Sequence, residues 1–340
     1  MTRILLLAVA VSIPPSEWDP EKAGRKLDER AALWESHPKT RRSHETSCIS
    51  CHTGTPYLLA RPALRRPLGE KDLAPPERAL LDDVATRVTK WSEAEPWYSH
   101  TEAKIRESRG TEAILNALVL SYRERAEPSA ETGALQRMAL ANLWSEQRGD
   151  GGFDWLHFDL APWETDESDF FGSCLAAVAS SPSEVASPDT TEPFARLAAY
   201  LRSAPRSMNL HSRLGLLWAE ASHPGLVDPE ARKDLLKGVL AAQGKDGGFA
   251  LSDLGPWKRK SGRADAYATG LAVHVLRELG DPAARSAVEH GLSWLVSNQD
   301  DSGGWTAESV NRDRSGEEPF TAGFMSDAAT AFAVLALSPR

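Results

Sequence analysis

From residue 76 onward the apolar positions fall into two alternating kinds of segment. In the first kind they form one stripe: Leu135, Met138, Ala139 and Leu143 recur at helical spacing with polar residues between them. The second kind is apolar nearly all round. Its copies are Thr111-Glu-Ala-Ile-Leu-Asn-Ala-Leu118, Ser173-Cys-Leu-Ala-Ala-Val178, Thr269-Gly-Leu-Ala-Val-His-Val-Leu276 and Thr330-Ala-Phe-Ala-Val-Leu-Ala-Leu337, with His211–Trp218 less regular. A helix apolar on every face belongs inside, covered by amphipathic ones. Five such pairs at roughly 50-residue spacing predict an all-α protein with an outer ring of helices around an inner ring. That is an α/α toroid of about five helical hairpins over residues 76–340. Trp144, Trp218, Trp294 and Trp305 lie on or beside these helices and are expected to fill gaps between them.

A short motif punctuates the pattern. Gln147-Arg-Gly-Asp-Gly-Gly-Phe153, Gln243-Gly-Lys-Asp-Gly-Gly-Phe249 and Gln299-Asp-Asp-Ser-Gly-Gly-Trp305 align without gaps, 96 and then 56 residues apart. The glycine pair allows the positive φ that ends a helix, and Phe194–Arg202 supplies a degenerate copy. These segments resemble the QW repeats of squalene–hopene cyclases and the related prenyltransferase repeats, over about 265 residues. The resemblance implies that Gln147, Phe153, Gln243, Phe249, Gln299 and Trp305 tie one outer helix to the next and are structural.

The family's chemistry does not follow its repeats. Of the D-x-D-D acid of the cyclases, Asp265-Ala-Tyr-Ala keeps only the first carboxyl, and neither Asp169-Phe-Phe-Gly nor Ser326-Asp-Ala-Ala restores the cluster. The Asp-x-Cys zinc ligands of protein prenyltransferases are missing, because Gly172 stands two positions before Cys174. The Gly-Cys-Gly-Glu-Gln of thioester proteins is missing too. A cyclase-like enzyme using Asp265 or Asp169 is therefore the least favoured function. Glu107, Asp169, Asp265 and Asp327 are each expected within one turn before an inner helix. They read as caps that favour the positive helix end, or else as an acidic ring at one mouth of the toroid. Asp82-Asp83 and Glu164–Asp169 read as solvated surface.

The first 75 residues differ. Met1–Ser12 carries Arg3, an apolar run from Ile4 to Val11 and small residues before Pro14-Pro15, the pattern of a secretory signal peptide over residues 1–13. The expected localisation is periplasmic or secreted, with no membrane span after cleavage. Residues 14–75, rich in Arg, Pro and His, are expected to be mostly irregular. The charge, 39 − 48 = −9, has no cationic run and disfavours nucleic-acid binding.

That segment holds the strongest chemical motif, Cys48-Ile-Ser-Cys51-His52, which takes two of three cysteines. If these positions lie on a helical turn, i, i+3 and i+4 share a face. The pattern resembles the attachment site of c-type cytochromes, which implies one covalent haem c on Cys48 and Cys51 with His52 as proximal iron ligand. For the sixth position His100 is preferred over the local His44 and over Met138, which the outer helix already explains; an open site is the remaining option. Trp91, Trp97 and Tyr98 would shield a haem edge. A zinc site completed by His44 or His37 and a disulfide are the competing readings. The functional expectation is an exported, haem-bearing toroid in electron transfer or haem-dependent redox chemistry, with an unknown redox partner. The alternative is a non-catalytic module holding an isoprenoid, lipid or peptide in the toroid cavity.

Overall fold

A computed structural model describes residues 18–180, 188–203, 208–259 and 262–339; the signal-peptide pattern of residues 1–13 lies outside them. Six of its helices form an inner ring: α2 (Gly54–Leu68), α4 (Glu102–Ala126), α6 (Ser168–Ala179), α8 (Leu210–Ser222), α10 (Ala266–Leu279) and α12 (Phe324–Leu337). Each packs on the next, and α12 packs back on α2, so the ring is closed. The outer helices α1 (Pro20–Ser36), α3 (Pro75–Thr89), α5 (Ala130–Ser145), α7 (Pro188–Arg202), α9 (Pro229–Ala241) and α11 (Arg285–Ser297) cover it.

The chain is thus an α/α toroid, and the five hairpins expected over residues 76–340 are present. A sixth completes the ring. It is built by α1 and α2, within the stretch expected to be irregular. Ala23, Leu27, Ala31 and Trp34 form the buried stripe of α1, and Asp19 caps it by accepting from Lys22 N at 2.9 Å.

The repeat motif makes two locking bonds, one to the next hairpin and one within its own. Its glutamine amide donates to the start of the next outer helix: Gln147 to Pro193 O (2.9 Å), Gln243 to Ala287 O (2.8 Å) and Gln299 to Asp19 O (3.0 Å). The backbone N–H of its aromatic residue donates to a hydroxyl on the next inner helix. Phe153 reaches Ser173 Oγ, Phe249 reaches Thr269 Oγ1 and Trp305 reaches Thr330 Oγ1, at 3.1, 2.9 and 3.1 Å. The last motif therefore closes the ring onto α1. Gly303, at φ 89°, sits so near that helix that a Cβ would stand 2.2 Å from Lys22 Cβ.

The first hairpin is fastened by buried charge. Arg30 pairs with Asp327 of α12 (Nε–Oδ1 2.6 Å), and Arg61 of α2 bridges Asp28 and Glu70 at 2.8 and 2.6 Å. Arg65 makes a two-pronged pair with Glu77 of α3, both bonds 2.7 Å, and also meets Glu127.

Candidate functional site

The inner helices all begin at one end of the toroid, and the connections that gather there build the candidate site. The α1–α2 connection carries the cysteine motif. Cys48 N donates to Thr40 O (2.9 Å), Trp34 Nε1 donates to Cys48 O (2.6 Å), and Ser50 turns the chain at φ 48°. Ser50 Oγ then accepts from Thr53 N and Gly54 N at 3.1 and 3.0 Å, which caps the entry to α2. Cys48, Cys51 and His52 precede the helix and do not share a helical face.

Burial sets the protonation of this turn. It pushes the Cys48 thiol up to about 12 and raises Cys51 as well, so both sulfurs are uncharged thiols at neutral pH. His52 is pushed down to about 3 by burial, helped by Arg314 and Arg30, and is a neutral imidazole. Its ring stacks on Phe324 with centroids 4.0 Å apart and meets Trp34 edge-on at 5.0 Å. Its Nδ1 is 2.9 Å from Thr53 Oγ1, which donates to Asp327 Oδ2 at 2.8 Å.

A cavity of about 100 Å³ lies against this turn. Cys48, Cys51 and His52 form one wall. Trp97 and Tyr98, from the α3–α4 connection, form another and are half-buried at the lip. The inner helix α4 contributes Glu112 and Asn116, and the α5–α6 connection contributes Trp155 and Glu164. Glu112 is held by Arg87, whose Nη2 is 2.9 Å from Oε2 and whose Nε also donates to it. Arg87 is saturated further by Glu95 O (2.9 Å) and Thr46 Oγ1 (3.2 Å). Asn116 is 2% exposed, and its amide nitrogen has no hydrogen-bond partner.

Glu164 ends a tight turn in which Leu160 and Glu164 exchange backbone bonds of 2.9 and 2.8 Å. That turn is rigid. Asn311 clamps Ala161 at 2.9 and 2.7 Å, and Trp163 Nε1 donates to Tyr267 Oη at 2.9 Å. Among the described residues nothing bonds to the Glu164 carboxyl. Burial raises it to about 7; Lys104 pulls it down and Glu107 pushes it up. It therefore changes charge near neutrality.

The four acids read as caps or as a ring are all committed to structure. Asp265 accepts from Ala268 N and Leu251 N at 2.9 and 2.5 Å, and burial raises it to about 6. Asp169 accepts from Trp155 N (3.1 Å) and pairs with Arg148; Asp327 holds Arg30 and Thr53. Glu107 pairs with Lys104 and accepts from His157 N at 3.2 Å. Of the four, Asp265 caps its own helix, whereas Glu107, Asp169 and Asp327 stand inside theirs and tie it to neighbouring segments.

The iron ligands inferred from the motif are not brought together. His100 is exposed and lies outside the cavity that His52 lines, and neither His44 nor any methionine lines it. Among the described residues no three His, Cys, Asp or Glu side chains are placed to hold a metal ion. The residues do not fit a His52–His100 haem. Three residues of the cavity escaped the sequence reading. Glu164 was hidden in an acid-rich run. Glu112 and Asn116 were legible as the polar members of an otherwise apolar helical segment.

No family model matches the chain, and no curated protein matches it. Solved structures do, by fold. The α-1,6-mannanase GH76A of Salegentibacter sp. HEL1_6 aligns with TM-score 0.57 at 10% identity, covering 94% of this chain and 99% of its own. The unsaturated glucuronyl hydrolase of Bacillus sp. GL1 aligns with TM-score 0.58 at 13% identity over 94% and 93%. The type II terpene cyclase MstE of Scytonema gives 0.52 at 14% identity over 94% and 98%. These likenesses define the class of protein by fold: an α/α toroid running nearly the whole chain.

They also correct the functional expectation. A separate haem-bearing segment in front of a toroid would leave residues 14–75 outside such alignments. Instead the match spans 94% of the chain, with α1 and α2 as toroid helices, and its partners are glycoside hydrolases and a cyclase. Electron transfer or haem-dependent redox chemistry is withdrawn on these grounds. So is the alternative of a non-catalytic module with an isoprenoid, lipid or peptide in a hollow toroid. The axis at this mouth is filled by buried Trp163, Tyr267 and His211, joined through Tyr267 Oη.

Proposed function

We propose that the protein is a glycoside hydrolase acting on the terminal unit of a sugar chain, with Glu164 as general acid. The observation that carries this reading is a carboxyl without partners, largely buried in an aromatic-walled cavity and raised to about 7. Such a group holds a proton at neutral pH and still releases it readily. Glu164 would protonate the glycosidic oxygen as the C–O bond breaks, and water would supply the hydroxyl to the anomeric carbon, its released proton returning to the Glu164 carboxylate. Glu112, fixed by Arg87, is the second carboxylate, facing the positive charge that develops on the sugar ring. Trp97 and Tyr98 offer flat apolar faces to a sugar at the lip. A cavity of about 100 Å³ encloses one end of a substrate and not a chain. Two of the toroids aligned with this one are named a mannanase and a glucuronyl hydrolase.

We also propose that the chain is exported, on the pattern of Met1–Ser12. Among the described residues no helix is long and apolar enough to cross a membrane. The test of function is turnover of a panel of 4-nitrophenyl glycosides by the full chain. Glu164→Gln, which keeps the shape and removes the acid, is expected to lower kcat by ~10²- to 10⁴-fold. Undiminished turnover by that variant, or a panel left intact by the parent, would sink the proposal.

A further inference from the structure

Resting on the reading of Glu164 as the acid, we infer that Lys104 and Glu107 are its positioning residues: together they clamp the turn that carries Glu164 and set the field around its carboxyl. Three positions apart at the start of α4, the two side chains share a face. They form an ion pair mostly shielded from water, with 15% and 20% of the side chains exposed. Both also reach the α5–α6 connection at a single residue. Lys104 Nζ donates to His157 O, and Glu107 Oε2 accepts from His157 N at 3.2 Å. The ammonium lies over the next side chain, 4.1 Å from the Phe158 ring centroid. Phe158 N in turn donates to Glu164 O at 3.3 Å, and Leu160 N donates to the same oxygen at 2.9 Å. The pair therefore grips one limb of the turn whose other limb ends in Glu164. Asp159, between the limbs, takes φ 55°, which is costly for a residue with a side chain. Such a turn needs holding from outside.

Lys104 and Glu107 are also the charges that act on Glu164. The thiols of Cys48 and Cys51, the His52 ring and the Tyr98 phenol are uncharged at neutral pH. Glu112 is offset by Arg87, and Arg42 lies over Trp97 in water. On the turn itself His157 meets Asp166 and Asp159 meets Lys258, both pairs exposed and screened. Lys104 draws the Glu164 carboxyl toward its ionised form, and Glu107 draws it toward its protonated form. The acid is thus balanced between the two members of one ion pair. Removing either charge must move it the opposite way from removing the other.

The experiment titrates Glu164 directly in the full chain and needs no substrate. Infrared difference spectra across the neutral range follow the stretch of its protonated carboxyl, assigned by its absence in Glu164→Gln. Lys104→Met is expected to raise the titration midpoint by at least ~0.5 on the pH scale, and Glu107→Gln, which keeps an acceptor for His157 N, to lower it. With 4-nitrophenyl glycosides the alkaline limb of kcat/KM should move the same two ways. Lys104→Met should also lower kcat ~10-fold with little change in KM, because the acid is less well aimed, and Lys104→Arg should restore most of the loss. A merely structural pair would lower the thermal midpoints and leave the titration where it was. Titrations that stay put in both variants, or shift the same way in both, would overturn the inference. If Lys104→Met does not fold, Glu107→Gln decides alone, a lowered midpoint supporting the clamp and any other result sinking it. If the midpoints diverge as stated and no glycoside is turned over, the clamp stands and the glycosidase reading falls. If Glu164→Gln abolishes turnover while the midpoints fail to diverge, this inference alone falls.

Discussion

The first hairpin and the five that follow occupy equivalent places in one ring, yet they are held by different chemistry. Hairpins from α3 onward are joined where the repeat occurs by neutral bonds, a glutamine amide to a carbonyl and a backbone N–H to a hydroxyl. The α1–α2 hairpin receives the glutamine bond from Gln299 and adds Arg30–Asp327, Arg61–Asp28–Glu70 and Arg65–Glu77–Glu127. Neutral bonds each contribute modestly and fail gently. A buried ion pair adds little net stability when intact, but losing one member leaves the other charge stranded. The ring is therefore uniform in shape and uneven in how it fails.

The largest expected effect breaks that fastening. Arg65→Leu removes the two-pronged partner of fully buried Glu77 and leaves it Arg123 Nη1 at 3.9 Å, which should cost about 3–5 kcal/mol in urea unfolding. A loss below about 1 kcal/mol would mean the pair is not the fastening it looks like. Next come the repeat glutamines. Gln243→Ala and Gln299→Ala should each cost about 1–2 kcal/mol. Hydrogen exchange separates them: Gln299→Ala is expected to loosen α1, and Gln243→Ala the start of α11. Equal loosening of both helices in both variants would count against local locks.

Acidity sharpens the contrast further. His52 in the first hairpin and His211 on α8 are both pushed down to about 3 by burial. Unfolded, each takes a proton near pH 6.5, so stability falls as pH drops below about 6.5 toward 3. His52→Phe should flatten that acid limb in part, seen in thermal midpoints across pH; an unchanged limb would exclude His52 from it. Glu164 works the other way. Its raised pKa favours the protonated folded state, and stability is lost as pH climbs from its unfolded value toward 7. Activity should decline above about pH 7 as the acid ionises, and a flat profile to pH 9 would contradict its role.

The smallest effect concerns the cysteines. With Cys48 pushed up to about 12 and Cys51 raised, iodoacetamide at pH 8 should modify the native thiols slowly and the unfolded ones readily. The intact mass is expected to be that of the polypeptide alone. A haem-sized increment with a visible α-band would overturn the present account of the turn.

Hairpins two to six were legible because each repeats a local pattern of apolar spacing, and three of them add the glycine stop. The first hairpin was not. In α2 the apolar residues Tyr57, Leu58, Leu59, Ala60 and Leu64 are interrupted by Arg61, Pro62, Arg65, Arg66 and Pro67, and prolines normally break a helix. The arginines belong there because Asp28, Glu70, Glu77 and Glu127 meet them, a fact no local window contains. The cavity shows the same limit. Cys48-x-x-Cys51-His52 stood out by its spacing, which the structure uses for a helix entry. Glu164 became a site only because the turn over residues 158–164 brings it to the cavity that Trp97 and Tyr98 also line.

The bond between Gln299 and Asp19 joins positions 280 residues apart. Synthesis makes α1 and α2 well before their neighbour α12, so the first hairpin of the ring waits some 280 residues for its final contacts. Links of such sequence separation slow folding. Until the last turn of α12 emerges, the apolar flank of α2 stays uncovered, and that flank is where a chaperone or an aggregate would first take hold.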